Sequence, residues 1–256
     1  MMAEYAYFML CFLVPRLFTG WKDTGNNITG SMSVRDSART ILIELLLEFL
    51  FILPVMSGGS FPYLLSFVFF YHLMAVIMSR YMKNGNLRSL VEFVLLILAG
   101  GFFIGGLPET VSFQAPIFSV LANFLRLHPF MRQYSRWQMR GLIIIIFGAV
   151  VLVNEINAMV RYILSIIHSE PLAEAGQPDS RELGRGKIIG VIERLFFYFF
   201  VLTNNYGSIA FILAAKAFTR FRELEDRDFA EYVLIGTLLS SSLSIFWAYF
   251  IRTLVL

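Results

Sequence analysis

The sequence predicts an all-α, polytopic integral membrane helical bundle of about six to eight membrane segments, one of them a broken or re-entrant helical hairpin. Three observations carry this prediction. Hydrophobic residues make up 57% of the 256 residues, and mean hydropathy is +0.69. Charged residues are only 15%, where a soluble globular chain carries roughly a quarter. Continuous apolar runs such as residues 141–153 have no polar side, which a half-exposed helix requires.

A membrane-spanning helix takes about 20 mainly apolar residues, because the hydrocarbon layer is roughly 30 Å thick. The first candidate is residues 2–18. It reads as a retained span or a membrane-lying segment, since Glu4 stands where a cleavable signal carries positive charge and no small-x-small site follows Val14. Residues 40–56, 61–79, 88–107 and 113–127 follow. Residues 141–167 exceed the length a span needs, so this helix tilts or projects. Residues 168–187, with Pro, Gly and mixed charge, read as a polar linker. Two short apolar arms, 188–202 and 208–221, flank the break at residues 203–207. They fit a hairpin that enters the membrane and returns, or one packed beneath the other helices. The last candidate is residues 231–254. The expected organisation is therefore membrane helices over 1–167, a linker over 168–187, and a hairpin with a final membrane helix over 188–256.

Short loops rich in Lys and Arg stay on the cytoplasmic side. Arg80, Lys83 and Arg88 mark one such junction, and Arg126, Arg132, Arg136 and Arg140 with His128 mark a second. The loops at 57–60 and 107–110 carry no basic residue. Alternation then puts 80–88, 126–140 and 19–39 in the cytoplasm and 57–60 and 108–112 outside. Residues 168–187 are outside if 141–167 crosses fully and inside if it does not. The net charge of +3 fits basic loops against anionic lipid in a plasma (inner) membrane.

Polar residues within spans are the most informative, because each charge costs about 2.5–3.5 kcal/mol on insertion scales. Glu44 and Glu48 stand four apart on one side of a helix. They are either a cation pathway or proton relay, or the acidic half of ion pairs with neighbouring helices. Asn154, Asn157 and Arg161 share a helical face with Glu155 beside them, as an interhelical hydrogen-bond seam or a wetted pore lining. Gly236, Ser240, Ser244 and Ala248 recur every fourth residue, as do Gly101 and Gly105. Such stripes permit close helix packing, within one chain or between copies, and Ser240, Ser241 and Ser244 also suit a polar path. His72 reads as a hydrogen-bonded interior histidine. Cys11, the one cysteine, reads as a small apolar residue, so no disulfide-linked partner is expected.

No HExxH, Walker A, GxSxG or CxxC pattern occurs, and His72, His128 and His168 lack metal-ligand spacing. No catalytic constellation, metal site or cofactor is expected.

The blocks GKIIGVIERL (186–195), GSIAFILAAKAFTRF (207–221) and AEYVLIGTLLS (230–240) occur in that order. Residues 186–242 thereby resemble the C-terminal part of a family of uncharacterised bacterial multi-pass membrane proteins that carry a domain of unknown function. The resemblance implies a shared C-terminal module. The family's first helix opens on a short His/Asp-containing motif, and residues 1–18 have none. Within the module a hairpin turning at 204–207 brings Lys216 within reach of Glu193, with Arg194 and Glu231 nearby. These four charges form a clasp on the last helix or a gate at the membrane face.

Three function classes follow. The first is a homo-oligomeric channel or pore whose basic face, Arg126, Arg132, Arg136 and Arg140, binds an anionic ligand such as a nucleotide or oligonucleotide. Small bacterial membrane effectors of antiviral defence act in this manner, by analogy alone. The second is a proton- or ion-coupled transporter of a small solute using Glu44 and Glu48. The third is a membrane-embedded enzyme.

Overall fold

The computed structural model describes residues 2–23, 34–52, 61–82, 84–106, 136–167, 180–219 and 227–255. Among them the chain is entirely helical apart from turns. In order these are α1 (Met2–Asp23), α2 (Val34–Ile52), α3 (Phe61–Tyr81), α4 (Gly85–Gly106), α5 (Arg136–Ile167), α6 (Ser180–Leu202), α7 (Tyr206–Thr219) and α8 (Arg227–Val255).

Four of these helices contain stretches long and apolar enough to cross a membrane. They are Pro62–Tyr81, Gly85–Ile104, Arg140–Ile167 and Leu234–Val255. α1 and α2 fall outside this set, and they carry Glu4 and Arg16 in one and Glu44 and Glu48 in the other. α7 is apolar but has 14 residues. That length spans only about 21 Å at 1.5 Å per residue. The expected segment 113–127 lies outside the described residues, as do the loops at 57–60 and 108–112. The expected linker is already helical from Ser180 onward.

The chain divides into two compact units, Met1–Val150 and Val151–Leu256. The boundary falls within α5 and not at the linker, because the two halves of this 32-residue helix pack in different cores.

In the first unit α1 is the most buried helix, packed on α2 and α4, with α3 on α4. Met9, Phe12 and Leu13 are fully buried. Phe8, Phe12, Phe67, Tyr71 and Phe103 form a ring cluster with centroids 5.0–5.6 Å apart at the closest pairs. Offset and edge-on rings at this spacing favour packing beyond area burial alone. A Cβ on Gly100 would stand 3.3 Å from Phe8 and 3.5 Å from the Met9 sulfur, so glycine there lets α4 close onto α1. Asn84 caps α4, its Oδ1 accepting from the amides of Asn86 and Leu87 at 3.1 and 3.2 Å. Outward faces of α3 and α4 present Phe69, Phe70, Leu98 and Phe102, the last 84% exposed, as a surface against lipid tails would.

Cross-helix contacts give the directions within this unit. Residues 8 and 12 of α1 meet 67 and 71 of α3, so those two helices run parallel. Tyr7 donates to the Phe51 carbonyl and Tyr5 to that of Ile97, whereas Arg16 meets Ser89 and Glu92. α2 and α4 therefore run opposite to α1, in agreement with alternation over the first four helices. The Arg140 guanidinium lies 3.9 Å from Glu4, at the end of α1 remote from Arg88. The start of α5 thus sits at the end of the first unit where α4 finishes, opposite the 80–88 junction.

In the second unit α6 packs along α8 and against α7. Ser241, Ser244, Ala248 and Ile251 form the buried face of α8 at helical spacing. The hairpin between α6 and α7 closes on Asn204, whose φ is 59°. Asn205 N–H donates to the Phe200 carbonyl at 2.8 Å and Asn204 N–H to that of Val201 at 3.2 Å. This pair of bonds is the Schellman arrangement, and asparagine tolerates the left-handed backbone it demands.

Candidate functional site

Among the described residues each unit encloses buried charges. In the first, four helices contribute. Glu48 of α2 is fully buried, and its Oε2 lies 2.8 Å from His72 Nε2 on α3. One proton is shared by that contact, and either the imidazole or the carboxyl can hold it. Glu48 Oε1 is buried without a hydrogen-bond partner. Arg16 of α1 donates to Glu92 Oε2 at 3.1 Å, to Ser89 Oγ at 3.2 Å and to Tyr71 Oη at 3.4 Å. Arg88 joins Glu92 from one turn earlier at 3.6 Å. Glu44 and Arg16 act electrostatically on Glu48, and Glu44 and Glu92 on His72. Cys11 of α1 interacts with Tyr7 and feels the Glu48 charge. The polar groups therefore run from Arg88 and Glu92 through Arg16 and the Glu48–His72 pair to Cys11 and Tyr7. Arg16 to Tyr7 covers about 14 Å along α1.

The two ion pairs differ in kind. Arg16 keeps its charge at any working pH and is engaged by three side chains. The Glu48–His72 pair unites the two side-chain types that exchange protons between acidic and neutral pH, and it holds an open acceptor.

In the second unit Arg194 of α6 is 4% exposed. Its Nη2 donates to Asn157 Oδ1 on α5 at 2.8 Å and its Nη1 to Ser240 Oγ on α8 at 3.3 Å. Its Nε is buried without a partner. Gly190 stands one turn back, where a Cβ would lie in ordinary contact with Nη1 at 3.5 Å. Lys216 of α7 donates to Glu193 Oε2 at 2.5 Å across the hairpin, the contact that its turn at 204–207 leads one to expect. At the open end Arg252 donates to Tyr206 Oη at 2.9 Å.

The remaining expected residues are distributed as follows. Asn154 donates to Glu155 at 2.9 Å, Asn157 accepts from Arg194, and Arg161 of the same helix is exposed. Ser244 and Ser241 bond back to the carbonyls of Ser240 and Thr237 on their own helix. A Cβ on Gly236 would stand 3.6 Å from Leu164 of α5, and Ser244 and Ala248 are buried, so the stripe on α8 packs within the unit. Gly101 meets nothing within 4 Å, and its neighbour Gly100 makes the close contact. Glu231 is exposed at the start of α8. Arg126 and Arg132 lie outside the described residues, and of Arg136 only the helix position is described.

Periodicity misses Arg16, Ser89 and Glu92. Their signals are an arginine after Pro15 within an apolar run, and a glutamate one turn beyond Arg88.

A comparison with protein-family models, with curated proteins and with solved structures finds no match for this chain.

Proposed function

We propose that the chain is a proton-coupled transporter of a small solute in a bacterial plasma membrane, with Glu48 and His72 as its proton-carrying pair. One observation supports this reading above the others: a fully buried carboxylate paired with a histidine while its second oxygen has no partner. A purely structural ion pair in a membrane gains by satisfying every polar atom. Arg16–Glu92 fits that description and Glu48–His72 does not. Buried carboxylate and histidine groups between helices are the residue types of proton relays in pumps and carriers. The groups facing the pair are Arg16 and Cys11 from α1, Glu44 from its own helix, Tyr71 from α3 and Glu92 from α4.

On this reading α1 and α2 also cross the membrane. Their charges face one another and α3 and α4, and with the four apolar helices they make six spans. The end bearing Arg80 and Arg88, together with the adjoining ends of α1 and α2 that carry Lys22, Arg35 and Arg39, faces the cytoplasm. The family resemblance of residues 186–242 is consistent with a bacterial setting.

Arg161, a charge exposed on a membrane-length stretch of α5, favours a second reading: an oligomeric pore in which this side chain meets another copy or water. The purified chain in planar bilayers distinguishes the two. Saturable flux without unitary current steps is the result expected of the carrier. Stepwise currents would replace the carrier by the pore.

A further inference from the structure

Arg194 is a permanent charge in an apolar helix, and both of its hydrogen-bond partners, Asn157 and Ser240, are neutral. The adjacent carboxylate, Glu193, is engaged with Lys216. A buried guanidinium without a bonded counter-ion is costly, and an unsatisfied Nε adds to that cost.

Three donors remain at this point. Nε of Arg194 is unpartnered, Asn157 has used only its Oδ1, and the Ser240 hydroxyl accepts from Arg194 and keeps its own proton. A guanidinium edge flanked by an amide and a hydroxyl matches a carboxylate, whose two oxygens take several N–H and O–H donors. Asn157 is ten residues from Ile167, about 15 Å along α5, and so near the middle of the membrane-length stretch. A lipid head group does not reside at that depth, whereas a carried solute does.

We propose that Arg194, Asn157 and Ser240 form a binding site for the carboxylate of a small organic anion. That this anion is the transported solute rests on the transporter reading above; that it binds does not.

The test uses acetate as probe and the full chain in nanodiscs of zwitterionic lipid, with sodium chloride at equal ionic strength as the reference. Acetate should raise the Tm saturably by about 2–4 °C. Ser240→Asp places a carboxylate beside Arg194. It should raise the Tm without acetate and abolish the acetate response, a gain that a merely destabilised variant would not show. Arg194→Lys, which keeps the charge but loses the planar edge, should weaken the acetate response at least tenfold in concentration. No acetate response in wild-type protein, or an undiminished one in Ser240→Asp, overturns the site. Stabilisation by phosphatidylglycerol with none by acetate overturns the small anion in favour of a lipid phosphate. Acetate binding without any transport would leave this site standing and remove the transporter reading instead.

Discussion

Arg16 and Glu92 illustrate what a structural charge pair in this chain looks like, and their removal has a predictable cost. Arg16→Ala leaves Glu92 buried beside Ser89 with only the more distant Arg88, and should destabilise the protein by about 3–5 kcal/mol. Glu92→Ala in the same background should restore part of that loss. Thermal unfolding in detergent reads both; additive losses in the double variant would contradict the pairing. Glu48 behaves differently, because Glu48→Gln keeps size and hydrogen bonding while removing the transferable proton. At this scale the sequence shows half of the site. Glu44 and Glu48 announce themselves by a four-residue spacing within an apolar helix, and His72 by its place in a span. Their partners do not, because the contacts join residues 24 and 76 positions apart, and helical periodicity carries no information about which helices will be neighbours.

Elements follow from the same local rules with better success. Apolar runs bounded by Asn84 or by the residues of the 203–207 break become α3, α4 and α7 with ends within a few residues of expectation, while α6 ends as expected at Leu202 but starts at Ser180, within the expected linker. The small-residue stripes show the limit of such reading. Two adjacent glycines of α4 are equivalent in pattern, yet only Gly100 meets α1. Gly100→Val should lower the Tm or the yield of folded protein clearly, since the added side chain collides with Phe8 and Met9. Gly101→Val, pointing into open space, should leave both within a few tenths of a kcal/mol or raise them slightly. Equal damage from the two would mean that Gly101 also packs, against another copy of the chain. On α8 the stripe packs against α6 and beside Leu164, and the hydroxyls of Ser241 and Ser244 are satisfied by carbonyls of their own helix.

For the whole molecule, composition alone makes membrane residence legible, and the four apolar stretches agree with it. Sidedness is less accessible. Counting spans by hydropathy puts Arg140 with Arg88, whereas the Arg140–Glu4 contact puts it at the opposite end of the first unit. The division inside α5 is likewise invisible in a helix whose apolar run continues through the boundary. Cys11 is buried and is the chain's one cysteine, so Cys11→Ala provides a clean background for labelling. In that background Asn84→Cys and Arg140→Cys should react with a membrane-impermeant maleimide from opposite faces of oriented vesicles. Labelling of both from one face would refute the Glu4 contact.

The most direct measurement is proton entry into vesicles reconstituted with the chain, followed by a trapped pH indicator while valinomycin and potassium hold the driving force. Wild-type protein should carry protons saturably. Glu48→Gln and His72→Gln should each reduce that rate at least tenfold, while their thermal unfolding stays close to wild type. Proton entry undiminished in folded Glu48→Gln protein, or none in the wild type with any solute supplied, would contradict a proton-carrying role for the pair.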